Sequence, residues 1–181
     1  MLKSLGLGLI LLINSTAGPA NKPVTSVSRV DLNRYAGRWY EIARYPNGFQ
    51  KNCAGEVTAT YSVLPENQVK VVNACRKANG QMMSAQALAK PANSTFSQLK
   101  VRFAPAFLSF IPLVWADYWV IDLAPDYSYA VVGTPDRDYL WILSRSPQMS
   151  EKTYSDILER VSAQGFAENR LVRTRQQWTA E

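Results

Sequence analysis

Eight short segments with the alternation of β-strands follow one another through most of the chain, and this run constrains the fold more than any other feature. Turn residues such as Pro65 to Gln68 and Pro125-Asp126 separate them. Such even spacing is typical of an all-β sandwich or barrel. The predicted strands are Arg38–Tyr45, Val57–Val63, Val69–Asn73, Met82–Lys90, Phe96–Phe103, Tyr118–Leu123, Tyr127–Gly133 and Tyr139–Arg145.

The period changes after the eighth strand. Ser150 is suited to an N-cap, and Gly165 is suited to ending a helix. Between them the apolar residues recur at helical spacing and share one face: Tyr154, Ile157, Leu158 and Val161. The sequence therefore predicts an all-β fold, an eight-stranded antiparallel up-and-down β-barrel (a calyx), with one C-terminal α-helix at about 149–164 packed on the outside. Residues 171–175 are expected to add a short edge strand.

The first predicted strand begins at Gly37 and at once places the large indole of Trp39. Glycine lets the backbone enter at an angle that other residues avoid, and aromatic residues suit a half-buried pleated surface. Trp39 is therefore expected to plug one end of the barrel.

The first twenty residues have the composition of a secretory signal. Lys3 gives a positive start, 5–13 are apolar apart from two glycines, and small residues follow at 15–20. We expect a signal peptide at 1–20, an N-terminal arm at 21–30 and one barrel domain at 31–181. The cleavage region has no cysteine, so we expect an exported protein of the periplasm or the periphery of the outer membrane, without a lipid anchor.

Composition narrows the classes of partner and chemistry. The net charge is +6, or +5 without Lys3; the cations are either scattered over a solvated face or suited to anionic lipid surfaces. No dense basic run occurs, so no nucleic-acid partner is expected. The chain has no histidine, which excludes a Ser-His-Asp triad and a His-ligated haem. We expect no enzyme activity, no metal and no cofactor.

Three segments resemble the lipocalin family, and most closely the bacterial lipocalins. Gly37-x-Trp39 with residues 40–44 looks like the first family signature, 126–129 resemble the second, and 135–145 are similar to the third. The resemblance extends from about Asp31 to Arg175. It implies binding, storage or transport of fatty acids, lysophospholipids or similar lipids in the bacterial envelope. Bacterial lipocalins often carry a lipid-attachment cysteine, and this chain departs from them there.

Alternating strand directions place Trp39 and Arg145 at the same end of the barrel, on neighbouring strands. A guanidinium stacked on an indole there contributes roughly 0.5–2 kcal/mol. The resemblance implies the same pairing at the closed end. Gly37, Trp39 and Arg145 are therefore interpreted as structural.

Cys53 and Cys75 both fall at the opposite, open end. Paired cysteines are usual in exported proteins, and a bridge here would contribute about 3 kcal/mol in the chain-entropy model. The alternative is a reactive Cys53 thiol, which requires a nearby base.

An uncharged stretch at 103–115 also falls at the open end. Its bulky residues are predicted to cover or rim the mouth: Phe107, Phe110, Ile111, Leu113 and Trp115. They form either a closed lid or an exposed lip that touches a membrane while a lipid passes.

Period-two alternation predicts the side chains that face the lumen. They are Val57, Ala59, Tyr61, Val69, Val71, Asn73, Leu99, Val101, Phe103, Tyr129, Val131, Tyr139 and Trp141. Small residues such as Ala59 and Ala87 leave room for a small hydrophobic ligand. Glu41 and Asn73 either contact a polar head group or are satisfied structural groups. The alternative functions are a filled barrel with an envelope interaction or structural role and, less favoured, a lipid-modifying enzyme; a homodimer is left open.

Overall fold

A computed structural model describes residues 22–103 and 115–177. In these ranges the predicted antiparallel barrel and its outer helix are confirmed. The strands are β1 Gly37–Arg44, β2 Gly55–Val63, β3 Val69–Arg76, β4 Met82–Pro91, β5 Gln98–Arg102, β6 Ala116–Leu123, β7 Tyr129–Gly133, β8 Leu140–Ser144 and β9 Val172–Arg173. The α-helices are α1 Leu32–Tyr35 and α2 Glu151–Ala163, and short 3-10 helices lie at Gly48–Gln50, Pro65–Asn67 and Glu168–Arg170.

The barrel closes through β1. Strands β2 to β8 pair in sequence order, β8 pairs with β1, and β1 pairs with β2 from Gly37 opposite Tyr61 to Tyr40 opposite Thr58. The closed end holds α1 and the turns after β2, β4 and β6. The open end holds the connections after β1, β3, β5 and β7.

Two apolar clusters lie on opposite faces of the wall. The cluster inside the barrel includes Trp39, Ala59, Tyr61, Val69, Val71, Ala87, Ala89, Leu99, Val101, Val120, Ala130, Val132 and Leu143. The cluster between the wall and α2 includes Val24, Ile42, Ala43, Tyr45, Ile121, Val131, Leu140, Ile142, Tyr154, Ile157, Val161 and Phe166. The interior set is rich in alanine, whereas the outer set is close-packed against the helix.

Helix α2 begins and ends as the sequence predicts. The Ser150 hydroxyl accepts a hydrogen bond from the Thr153 amide, and Gly165 follows the helix at φ +82°. Three residues of the predicted apolar face are buried: Tyr154, Ile157 and Val161. These residues cover the outer surface of β7 and β8.

The prediction of which β7 residues face the lumen is wrong. Val131 and Tyr129 belong to the cluster under α2, and the lumen receives Ala130 and Val132 instead. Because the helix covers the outer face, β7 is apolar on both faces, and alternation carries no information about which face points inward. Tyr129 instead meets Arg160 of α2, whose Nη2 donates to the Tyr129 hydroxyl at 2.8 Å.

Several other boundaries differ from the predictions. Strand β5 is shorter than predicted, so Phe96 and Phe103 lie outside it. The predicted surface arm is partly core, since Val24 and Val30 are buried. The predicted signal peptide lies outside the described residues, and none of the described helices is long and apolar enough to cross a membrane.

The closed end is built as expected from the sequence. The Arg145 guanidinium lies 3.8 Å from the centre of the Trp39 ring and donates to the carbonyls of Arg38 and Arg34 at 2.9 and 2.6 Å. Trp39 is fully buried and donates through Nε1 to the Tyr35 carbonyl at 2.8 Å. These bonds tie α1, β1 and the end of β8 into one floor.

Candidate functional site

A cavity of about 250 Å³ opens at the mouth of the barrel. Its lining comes from the connection after β1, from β2 to β4 and from the end of β5. The residues are Phe49, Gln50, Cys53, Val57, Asn73, Ala74, Cys75, Met83, Ser84, Ala85 and Phe103. The lining is mainly apolar with a few polar groups, which is the usual composition of a small-molecule site.

The predicted disulfide is confirmed, and it forms part of this lining. Cys53 and Cys75 are joined with their Cα atoms 5.6 Å apart. The bridge fastens the β1–β2 connection to the open end of β3. Cys53 also donates its amide to the Gln50 carbonyl at 2.9 Å, so the bridge holds the 3-10 turn at 48–50 beside the mouth.

The predicted lumen residues separate into three groups. Val57, Asn73 and Phe103 line the mouth cavity. Deeper in the barrel, packed in the interior cluster, lie Ala59, Tyr61, Val69, Val71, Leu99 and Val101. On the β8 side, Tyr139 and Trp141 stack with ring centroids 5.7 Å apart, and Phe49 lies 5.7 Å from Tyr139. Tyr129 and Val131 belong to none of these groups.

A β-bulge in β1 places two opposite charges inside the barrel. Glu41 pairs with Leu143 and Arg44 with Trp141, both inward, and Ile42 is the extra residue between them. The Glu41 carboxylate is 3% exposed and the Arg44 side chain 15% exposed, and Arg44 Nη1 donates to Glu41 Oε1 at 2.8 Å. Arg44 Nε is buried and has no hydrogen-bond partner among the described residues.

The side chain of Gln50 reaches this pair from the mouth. Its Nε2 donates to Glu41 Oε2 at 2.6 Å, and its Oε1 accepts from Trp141 Nε1 at 3.0 Å. Asn47 caps the 3-10 turn by accepting from the Gln50 amide at 3.0 Å and donates to Gln50 Oε1 at 2.8 Å. We call Glu41 Oε2 and Trp141 Nε1 the Glu41–Trp141 socket: it offers one acceptor and one donor, and Gln50 fills it.

The C-terminal segment, residues 172–176, completes the wall where β1 separates from β2. Strand β9 pairs with Ala43 and Arg44, and the Arg175 carbonyl accepts from the Glu56 amide at 2.7 Å. Gln176 Nε2 donates to the carbonyls of Glu41 and Val57 at 2.7 and 2.8 Å, joining the separated strands. The same segment also bonds to the Glu41 carboxylate itself.

That further bond comes from Thr174, whose hydroxyl donates to Glu41 Oε1 at 2.5 Å. Arg44 Nη1 donates to the same hydroxyl at 3.1 Å. The C-terminal segment therefore contacts both members of the luminal ion pair.

Three tyrosine hydroxyls meet near the floor. The Tyr118 hydroxyl is 2.8 Å from that of Tyr35 and 2.9 Å from that of Tyr61. Burial raises the pKa of Tyr61 to about 12 and holds the pKa of Tyr35 and Tyr118 well above the usual value. All three therefore stay neutral and form a second polar patch in the interior, apart from the Glu41–Arg44 pair.

The predicted lid is only partly within the described ranges. Phe107, Phe110, Ile111 and Leu113 lie outside them. Trp115 does not lie over the mouth: its ring is 4.2 Å from Lys90 Nζ and 5.0 Å from Arg102 Cζ. Because Ala89 and Val101 point inward, Lys90 and Arg102 face outward, and Trp115 packs on the outer side of the wall with these cations.

Sequence reasoning missed Arg44, Gln50 and Thr174. A regular strand would send Glu41 and Arg44 to opposite faces, and only the adjacent apolar pair Ile42-Ala43 signals the bulge. No local pattern marks Gln50 or Thr174, because each reaches Glu41 from outside strand β1. Within the described ranges, no group of three or more His, Cys, Asp or Glu side chains is placed to hold a metal ion.

Comparison with known families agrees with this architecture. Residues 30–176 match the model of the lipocalin-like domain. The chain belongs to the lipocalin family. Family members are typically proteins that bind small hydrophobic ligands, and the barrel, floor and mouth cavity described above are consistent with that role.

Relatives occur in several kingdoms. Temperature-induced lipocalin-1 of Arabidopsis thaliana is 39% identical over 158 residues, covering 86% of this chain and 84% of the relative. The outer membrane lipoprotein Blc of Escherichia coli K12 is 34% identical over 166 residues, covering 91% and 88%.

Solved structures share the fold at lower identity. Insecticyanin of the tobacco hornworm Manduca sexta superposes with a TM-score of 0.63 at 20% identity, covering 86% of this lipocalin and 85% of that chain. Lobster apocrustacyanin A1 gives 0.63 at 18% identity, covering 81% and 79%. These likenesses concern the fold alone.

Proposed function

We propose that this lipocalin binds, stores or carries single-chain lipids, such as fatty acids or lysophospholipids, in the bacterial envelope. The observation that supports this most is the mouth cavity above an alanine-rich interior. At about 250 Å³, the cavity is just below the roughly 300 Å³ at which small-molecule pockets begin. It fits a small apolar molecule or part of an acyl chain.

The energetics of such a ligand favour binding. Each methylene removed from water contributes roughly 0.8 kcal/mol. An acyl chain buried over its whole length therefore gains on the order of 10 kcal/mol before the costs of association, and a chain buried in part gains proportionately less. No catalytic role is included in the proposal.

A pair of substitutions on β4 tests the proposal. Ala85 lines the mouth cavity, and its neighbour Gln86 is exposed on the outer face of the same strand. Ala85→Trp is expected to fill the cavity and weaken displacement of a fluorescent apolar probe by palmitate and lysophosphatidylcholine at least tenfold. Gln86→Trp is expected to leave both affinities unchanged. A flat titration of the unmodified protein across both lipids would refute the function.

The rim of the mouth supports a second proposal, transient contact with a membrane during lipid transfer. Phe49, Met82 and Phe103 are 69, 52 and 51% exposed at the open end, where Phe49 lies in the 3-10 turn after β1, Met82 begins β4 and Phe103 follows β5. Clustered exposed apolar side chains commonly mark such contacts. Lys51 and Lys77 are near them in sequence, and cations there suit anionic head groups.

Vesicle sedimentation tests the membrane contact. Replacing the three rim residues by serine is expected to abolish binding to phosphatidylglycerol vesicles. The control is Val63→Ser with Leu64→Ser, because these residues are also exposed but lie at the closed end. Equal loss in both variants would exclude a rim-specific contact. The homodimer stays a prediction.

A further inference from the structure

We infer that the Glu41–Trp141 socket is a recognition site for an uncharged group that both donates and accepts a hydrogen bond, and that Gln50 occupies it in the absence of ligand. The inference rests on the proposed lipid-binding function and names the head group that the site selects. The groups that match are a hydroxyl and a primary amide.

The chemistry of Gln50 shows what the socket accepts. Its amide donates a hydrogen bond to Glu41 Oε2 and accepts one from Trp141 Nε1. A ligand that displaces this amide must do both, since a carboxylate or an indole N–H left buried without a partner is costly. A hydroxyl or a primary amide satisfies both groups, whereas a quaternary ammonium supplies no donor.

The acceptor of the socket disfavours a ligand group that has no hydrogen-bond donor, such as a carboxylate. A fatty carboxylate cannot donate a hydrogen bond to Glu41, and it would place a second negative charge beside it. Arg44 already balances the Glu41 charge through a 2.8 Å bond, so the pair as a whole is neutral. The socket therefore discriminates by hydrogen bonding, so lipids of the same chain length but different head groups are expected to differ in affinity.

The socket adjoins the cavity that would hold the rest of the ligand. Gln50 is both a lining residue of the mouth cavity and the group bonded to Glu41. A ligand that replaces the Gln50 side chain in the socket therefore has the rest of this cavity beside it. When the Gln50 side chain leaves, the bond from Asn47 Nδ2 to Gln50 Oε1 is lost, but Asn47 Nδ2 keeps the Tyr45 carbonyl as a partner and Asn47 Oδ1 still holds the Gln50 amide.

The presence of a buried ion pair is weak evidence that its role is to stabilise the fold. A buried ion pair is often no more stabilising than apolar residues of equal volume. Here the pair also leaves Arg44 Nε buried without a partner among the described residues. A ligand carbonyl or hydroxyl oxygen beside the socket would supply the missing acceptor, which Gln50 does not.

Three competitors of equal chain length test the inference: lauric acid, lauryl alcohol and lauramide, each displacing N-phenylnaphthylamine from the full-length oxidised protein at mildly basic pH. We expect the alcohol and the amide to bind about three- to tenfold more tightly than laurate, the worth of one or two neutral hydrogen bonds. The indole N–H signal of Trp141 should shift with lauramide and not with dodecane.

Gln50→Ala removes the internal competitor, and Gln148→Ala is the matched control because Gln148 is an exposed glutamine at the closed end. Gln50→Ala is expected to widen the preference for the alcohol and amide over laurate about threefold, and Gln148→Ala to leave it unchanged. If laurate binds as tightly as the other two in the unmodified protein, the socket is only an anchor for the 48–50 turn, although lipid binding stands. If none of the three displaces the probe, both proposals are refuted. The competitor ranking and the Trp141 signal decide the matter even if Gln50→Ala does not fold.

Discussion

Gln176 is a side chain whose removal should measure how firmly the barrel wall is joined at its open end. Strands β1 and β2 are paired only as far as Tyr40 opposite Thr58. Beyond that point, the Gln176 amide bridges them by donating to the carbonyls of Glu41 and Val57 at 2.7 and 2.8 Å. Gln176→Ala leaves both partly buried carbonyls without this donor.

The expected loss follows from the two bonds. A neutral hydrogen bond contributes about 0.5–1.5 kcal/mol net, so the substitution should lower the free energy of unfolding by about 1–3 kcal/mol. For a domain of this size, 1 kcal/mol shifts the melting temperature by roughly 2–4 °C. A loss near 2 kcal/mol therefore corresponds to a decrease of roughly 4–8 °C.

Urea unfolding of the oxidised protein measures this loss, and the adjacent exposed residue gives a matched control. Gln177→Ala is expected to change the unfolding free energy by less than about 0.5 kcal/mol. Hydrogen exchange should also quicken at the Glu56 amide, which donates to the Arg175 carbonyl. If Gln176→Ala and Gln177→Ala unfold at the same urea concentration, the C-terminal segment does not join the strands and the argument from the two bonds fails.

Three further predictions concern the floor, the disulfide and the interior tyrosines. Arg145→Met should lower the free energy of unfolding by about 2 kcal/mol in urea, because it removes the cation–π contact with Trp39 and two bonds to carbonyls; an unchanged midpoint would contradict this. Replacing Cys53 and Cys75 together by serine should cost about 3 kcal/mol in the same assay, whereas a loss no larger than that of a surface substitution would count against the loop-closure argument. Because burial raises the pKa of Tyr61 to about 12, the folded protein keeps this proton where the unfolded chain, with a pKa of about 10, loses it. Stability should be full below about pH 10 and fall as the pH rises toward 12, with phenolate absorbance following unfolding; Tyr61→Phe should make this fall shallower.

The sequence was sufficient to predict features that depend on strong local patterns or on chain direction. Strand number and α2 follow from two clear periodicities. The stacking of Arg145 on Trp39 and the Cys53–Cys75 bridge follow from counting strand directions, which places each pair at one end of the barrel. None of these predictions requires the exact register of a strand.

The sequence could not predict which face of a strand points into the lumen where the wall is covered on both sides. Val131 is buried under α2, and its neighbours Ala130 and Val132 are buried in the lumen. A strand with two apolar faces gives the same sequence pattern in either orientation. Strand β2, whose outer face meets solvent, shows the alternation that β7 lacks, and its inward residues were predicted in the correct orientation.

The polar centre of the lumen was missed for a different reason, since it depends on three separate parts of the chain. The bulge in β1 brings Glu41 and Arg44 to one face, the 48–50 turn brings Gln50, and the C-terminal segment brings Thr174. Each part is placed by tertiary structure, so local propensity does not reveal it. The only local sign is a charged residue at each end of a short apolar pair.

The two glutamines that reach Glu41 act on different atoms, and this separates the architecture of the wall from the recognition of a ligand. Gln176 donates to the Glu41 carbonyl, whereas Gln50 donates to the Glu41 carboxylate. Gln176→Ala should therefore lower stability and leave the ranking of lauryl alcohol over laurate unchanged. Gln50→Ala should change the ranking by more than it changes the urea midpoint. If both substitutions shifted stability and ranking in the same proportion, Glu41 would have a single structural role, and the distinction between wall and socket would be refuted.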